Sequence, residues 1–315
     1  MNTRYILQRL FLTFIVVLGV TFVVFLIIQL VPGDPARVIL GVQASPESVA
    51  ALRERLGLNR PFLVQYGDWL WSAARGDFGK SLVTGQPVAP QLMQRLPATL
   101  QLAAAALLIG MLIGFPAGII SALRPGSSVD LVTSILSQIG VTIPDFWLGI
   151  MLVLLFSLTL EWLPPSGYTP IGEDFGGWLA HLILPAVTAG VISGSIQTRF
   201  IRSAMLEVMH EDYIRTARSK GLRERIVVVR HALRNAMITI VTVIGLQITS
   251  LVSAVVVVEV VFAWPGLGRL AIEAVLDRDY PLLQGAVFTV AVVLALVNLS
   301  IDLLYFFLDP RIEYA

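Results

Sequence analysis

Six long apolar runs, separated by polar stretches, organise this chain. They fall at 10–31, 98–123, 131–160, 181–200, 236–262 and 283–308. Each holds roughly 20 residues or more, the length a helix needs to cross ~30 Å of hydrocarbon. The pattern predicts an all-α polytopic membrane protein with six transmembrane helices. The first run follows Arg4 and Arg9, as a signal peptide would. It is too long for one, however, and Val31-Pro32-Gly33-Asp34 offers no small-residue cleavage site, so it is read as a retained anchor.

Composition agrees. Of 315 residues 56% are hydrophobic and only 14% are charged, with a mean hydropathy of +0.81. A soluble domain carries nearly twice that charged share. A net charge of +1 gives no reason to expect a nucleic-acid partner. With no cysteine, disulfides, thiolate metal sites and a cysteine nucleophile are excluded. Basic residues set the expected topology, because short basic loops stay in the cytoplasm. Arg4 and Arg9 place the N-terminus inside, residues 199–234 hold nine of the 22 basic residues and lie inside, and Arg311 keeps the C-terminus inside. The loop 161–180 has no Lys or Arg and lies outside.

The outer loop 32–97 reads as ordered. Ser45-Pro46-Glu47 is a helix start, a capping hydroxyl followed by proline at the first helical position, and Gly57 is its stop. A second amphipathic piece near 61–74 gathers Tyr66, Trp69, Leu70 and Ala73 on one side, as a cap on the span ends or a docking surface. Gly110, Gly114 and Gly118 recur every four residues in the second span, and Gly190 and Gly194 in the fourth. Such stripes let helix backbones approach closely in lipid, and a moving or pore-lining helix is the sharper reading. The fifth span carries Gln247, Thr249, Ser250 and Ser253, and the sixth Asn298 and Asp302. Polar groups at that depth face protein or a water-filled cavity. Gln247, Ser250 and Ala254, spaced i, i+3, i+7 with Ser253 beside them, form one candidate face of a translocation path.

Candidate chemistry is thin. Gly79-Lys80-Ser81 resembles the end of a phosphate-binding loop, but Ala74 stands where its first glycine belongs and the triplet lies on the outer side. His181, His210 and His231 show no metal-ligand spacing, and no nucleophile elbow is present. The chain is expected to be no enzyme and to hold no cofactor or metal.

The segment 211–236, EDYIRTARSKGLRERIVVVRHALRNA, stands apart. Ile214, Ala217 and Gly221 fall on one helical face, and Glu211 precedes Arg215 by four residues, the favourable order for an ion pair. A short amphipathic helix is predicted, with Arg215, Arg218 and Ser219 on its polar side. Either it lies on the membrane surface or it meets a partner.

This segment resembles the cytoplasmic loop of ABC importer permeases. Arg215-Thr216-Ala217 matches the start of that family's motif, Gly221 its glycine, and Leu233 its later leucine, while His231 and Arg234 depart in the manner of the dipeptide/oligopeptide/nickel branch. Further matching pieces run in order along the chain: Gly76-Asp77-Phe78-Gly79-Lys80-Ser81, Leu96-Pro97-Ala98-Thr99-Leu100, Phe146-Trp147-Leu148-Gly149, Phe262-Ala263-Trp264-Pro265-Gly266-Leu267-Gly268, Arg278-Asp279-Tyr280-Pro281 and Asp309-Pro310-Arg311. The resemblance implies a type I ABC importer permease fold in a bacterial or archaeal plasma membrane. It divides the chain into an N-terminal transmembrane helix (1–31), an extracytoplasmic region with short helices (32–97), a five-helix core (98–308) and a cytoplasmic tail (309–315). It implies a coupling helix at about 207–222 that docks an ATPase through Glu211, Arg215, Thr216, Ala217, Lys220 and Gly221. Its implied partners are a second homologous permease, two cytoplasmic ATPases that bind ATP and Mg, an extracytoplasmic substrate-binding protein and membrane lipid. Di- or oligopeptides are the expected substrates, with nickel chelates, glutathione or oligosaccharides as alternatives. The rival class is a self-contained channel or secondary transporter, for which Asp302 is the deeply placed charged candidate.

Overall fold

The computed structural model describes residues 3–30, 44–55, 57 and 59–308. Its helices are α1 (Thr3–Leu30), α2 (Pro46–Arg55), α3 (Phe62–Ala74), α4 (Val88–Leu123), α5 (Ser128–Thr142), α6 (Asp145–Leu152, continued by the π-helix Val153–Thr159), α7 (Phe175–Met209), α8 (Asp212–Ser219), α9 (Glu224–Val261, π-helical over Val227–Leu233), α10 (Leu267–Leu276) and α11 (Tyr280–Leu308). Among the described residues α1, α4, α7, α9 and α11 are long and apolar enough to cross a membrane, and α5 with α6 make a sixth if the bent pair is one span.

Local chemistry explains the ends. Ser45 caps α2, its Oγ accepting from the Ser48 amide at 3.2 Å, and Gly57 follows with φ +67°. The third apolar run is not one rod. α5 and α6 meet at a bend of 103°. Ile143 is extended (φ −70°, ψ 127°) because the residue before a proline is pushed out of the helical region, and Pro144 then opens α6. An apolar run signals membrane depth but not direction, so the expected straight span becomes a broken one.

The chain divides into two compact units. One comprises Met1–Pro97 with Gly266–Leu299. Here Phe78, Val88, Leu92, Leu267, Leu270, Ala274, Leu282 and Ala286 form one buried cluster. The five-helix core expected over 98–308 is therefore shared out, because α10 and α11 as far as Leu299 belong to the first unit. α3 lies on α1: Tyr66 and Trp69 pack on Phe25, Tyr66 Oη lies 2.9 Å from Thr21 Oγ1, and Trp69 meets Phe288 edge-on. Ser81 is a buried donor to Asp279, whose other oxygen accepts from the Leu82 amide at 3.1 Å. The Gly79-Lys80-Ser81 triplet thus staples the turn before α11, and its resemblance to a phosphate loop is accidental.

The second unit comprises Ala98–Pro265 and the chain from Ser300 onward. The glycine stripes meet in it. A Cβ on Gly114 would stand 2.7 Å from the Gln197 Cβ, one on Gly118 2.8 Å from Ile201, and one on Gly190 2.7 Å from Ile109. α4 and α7 therefore interlock, each offering glycine where the other offers a branched or long side chain. Trp264 Nε1 donates to the Ala98 carbonyl at 2.9 Å and closes one end of this core.

Candidate functional site

The basic region resolves into three parts. Arg199 and Arg202 belong to the end of α7, while Arg225, Arg230 and Arg234 belong to α9. Between them lies α8, at eight residues shorter than the expected 207–222. Residues 207–209 still belong to α7. Asp212 opens α8 and Arg218 lies in its last turn, each sign favouring its end of the helix dipole. The stop is a Schellman turn: the Gly221 amide donates to the Arg218 carbonyl at 2.9 Å and the Leu222 amide to the Ala217 carbonyl at 3.4 Å. Gly221 sits there at φ +78°, with no atom within 4 Å of where its Cβ would stand. It therefore lies past the helix end, not on the face of Ile214 and Ala217 as the periodicity suggested.

α8 has two faces. Ile214 is fully buried and Ala217 is 7% exposed, packed with Ala122, Ile201, Met205, Val227 and Ala232. Glu211, Arg215, Thr216, Arg218, Ser219 and Lys220 are exposed. The side chains on that outer face bond mainly among themselves. Arg215 pairs with Asp212 at 3.4 Å in place of Glu211, and Arg218 forks onto Glu224 at 2.7 and 3.2 Å. Tyr213 Oη accepts from Asn235 Nδ2 at 3.0 Å, fastening α8 to α9. A helix this short holds no fold of its own in water. It is set by its buried face, with its polar face turned outward.

The proposed face on α9 splits. Gln247 is 8% exposed and accepts from Ser193 Oγ at 3.2 Å, and Ser193 in turn accepts from Gln197 Nε2 at 3.1 Å. Ser250 and Ser253 are exposed, and Ala254 is half-buried. With Thr239, Thr242 and Thr249, also exposed, the two serines make a polar stripe along an otherwise apolar helix, interrupted by the exposed Leu246.

Two charged sites escaped the sequence reading. Glu259 is fully buried near the end of α9 and accepts from Thr99 Oγ1 at 2.6 Å. It corrects the reading of Asp302 as the deeply placed charge, and the Asp302 side chain, like the tail 309–315, lies outside the described residues. A carboxylate inside the apolar run 236–262 was itself the signal. The other site is Asp130, buried at the start of α5. It accepts from Arg202 Nε and Nη2 at 2.6 and 2.8 Å, from Ser121 Oγ at 2.5 Å and from the Gly126 amide at 2.9 Å. Arg202 and Asp130 lie 72 residues apart, so no local pattern announces the pair.

A bundle of membrane-spanning helices with a two-faced connecting helix is the form of a transport permease. The chain belongs to the family of binding-protein-dependent transport system inner membrane components, whose pattern it matches over residues 114–314, with the N-terminal part of such components matched over 2–103. It is 42% identical, over 98% of its length and 99% of the relative's, to the dipeptide transport system permease protein DppB of Alkalihalophilus pseudofirmus. It is 40% identical, over 98% of its length and 99% of the relative's, to the oligopeptide transport system permease protein AppB of Bacillus subtilis. Among solved structures, the inward-facing MetNI methionine ABC transporter superposes with a TM-score of 0.59 at 18% identity, covering 70% of this chain and 96% of that one. The fold is that of a type I ABC importer permease, and the chain is a multi-pass membrane permease.

Proposed function

We propose that this permease carries peptides, di- or oligopeptides, across a bacterial or archaeal plasma membrane with both termini in the cytoplasm. An extracytoplasmic binding protein delivers the peptide, a second homologous permease completes the path, and two cytoplasmic ATPases bind ATP and Mg and supply the work. The names of the relatives support the substrate class. The observation that carries the docking role is the division of α8. Its inner face, Ile214 and Ala217, is sunk into the permease, and its outer face leaves Arg215, Thr216, Lys220 and the turn at Gly221 exposed, as a docking surface requires. In the working cycle, closing of the ATPases moves α8 and so shifts the permease between inward and outward states, as a population shift driven by nucleotide.

The exposed Ser250 and Ser253, with Ala254 beside them, fit a route that solvates a peptide backbone without fixing its side chains, and Gln247 supports that wall from behind. Charge reversal tests the docking role. Arg215→Glu with Lys220→Glu, both exposed, should lower permease stability by no more than about 1–2 kcal/mol, through the lost Asp212 pair and the reversed charge at the helix end. The ATPases should no longer co-purify with it. Retention of the ATPases at parental stoichiometry would remove α8 from the docking role.

A further inference from the structure

The Asp130 cluster ties several elements together at one carboxylate. Its carboxylate joins three elements: α4 through Ser121, the turn before α5 through the Gly126 amide, and α7 through the fork of Arg202. Asp130 is 6% exposed. The Arg202 side chain is 32% exposed, and replacing an ion pair with apolar side chains is often neutral or stabilising, so the pair itself is a weak reason for stability, apart from the bonds that Asp130 accepts from Ser121 and the Gly126 amide. A bidentate guanidinium–carboxylate contact supplies direction instead, because the planar fork fits in one orientation. The location is also particular. Arg202 lies seven residues before the end of α7 at Met209, about 10 Å along the helix. His210 and Glu211 lead from there straight into α8. Its neighbour Ile201 and Ser121's neighbour Ala122 belong to the same buried cluster as Ile214 and Ala217 of α8.

We propose that Asp130 and Arg202 are positioning residues for energy coupling, a brace that makes α4, α5 and α7 move with α8 as one body. This rests on the reading of α8 as the ATPase-docking helix. Without the brace, α8 still docks and ATP is still hydrolysed, but motion at α8 is lost as sliding between α7 and the first turn of α5.

The test uses the complete transporter, reconstituted in liposomes with its binding protein. One readout is tritiated alanyl-alanine taken up per ATP hydrolysed. The other is the ATP-dependent change in maleimide labelling of a Ser250→Cys reporter, in a permease that has no cysteine of its own. Arg202→Lys keeps the charge and loses the fork, and should lower uptake per ATP roughly threefold. The apolar pair Asp130→Leu with Arg202→Met should assemble and hydrolyse ATP near the parental rate, while uptake per ATP falls roughly tenfold or more and the labelling change disappears. Parental coupling in the apolar pair would overturn the brace. So would failure of both variants to assemble, which would make the pair a folding element. If the parent takes up none of the dipeptide, the peptide reading fails, and the labelling change alone then decides the brace.

Discussion

Gly221 shows how one residue serves two demands. Its φ of +78° closes the Schellman turn after α8, and open space surrounds it. A side chain there meets backbone strain first and, under the proposed docking, an approaching partner second. Gly221→Ala should cost about 1–2 kcal/mol for the left-handed conformation. Gly221→Asn should cost less, since asparagine tolerates that region. Thermal inactivation midpoints of the purified permease should therefore fall in the order Gly, Asn, Ala. The reverse order for Asn and Ala would show that the turn is not left-handed in solution. The helix glycines respond to a different force. Gly114→Ala drives a methyl to within 2.7 Å of the Gln197 Cβ and should destabilise by roughly 1–3 kcal/mol. Gly19, with nothing within 4 Å, should accept alanine at no cost, or gain up to ~1 kcal/mol. Equal midpoints for the two variants would dissolve the interlocked α4–α7 packing. The spacing of Gly110, Gly114 and Gly118 was legible in the sequence. Their partners on α7 were not, since spacing along one helix does not name the helix opposite.

At the scale of elements, periodicity read type and depth well and direction poorly. The start of α2 was legible because Ser45 and Pro46 act through their immediate neighbours. The break at Pro144 is not legible from the length of the apolar run, because a proline turns the chain there without shortening the run. α8 was found by Ile214 and Ala217, but its end fell at Ser219, before the glycine assigned to its face. Those details matter for probing topology. Ser81, in the loop expected to lie outside, is 3% exposed and holds Asp279, so a cysteine there would report burial and not sidedness. Val83, 57% exposed, is the better site. Val83→Cys should be labelled by an impermeant maleimide only from outside the cell, and Ser219→Cys only from the cytoplasmic side. Labelling of both from one side would overturn the proposed orientation.

For the whole molecule, the question is where the proposed peptide passes among helices whose exposed side chains are largely apolar. α9 offers the sharpest division. On one side Gln247 is drawn into the network with Ser193 and Gln197 on α7. An interhelical hydrogen bond of this kind contributes only ~0.6–2 kcal/mol in lipid, but breaking it leaves buried polar atoms behind. On the other side Ser250 and Ser253 stand exposed, and lipid gives hydroxyls no partners. Thr242 in the same stripe turns back to the Ile238 carbonyl at 3.0 Å, whereas Ser250 and Ser253 suit water or another subunit, which the proposed path shared with a second permease would supply. Substitution separates the two sides. Ser250→Trp should place an indole in the route and abolish uptake, while the complex still assembles in normal yield. Gln247→Leu should act oppositely, lowering the thermal midpoint by the equivalent of about 1–3 kcal/mol through the orphaned Ser193 hydroxyl, with uptake per assembled complex little changed. Loss of assembly in Ser250→Trp would mean that the exposed face is a packed subunit contact. The path would then have to follow another helix, with the serines serving only to join the two permeases.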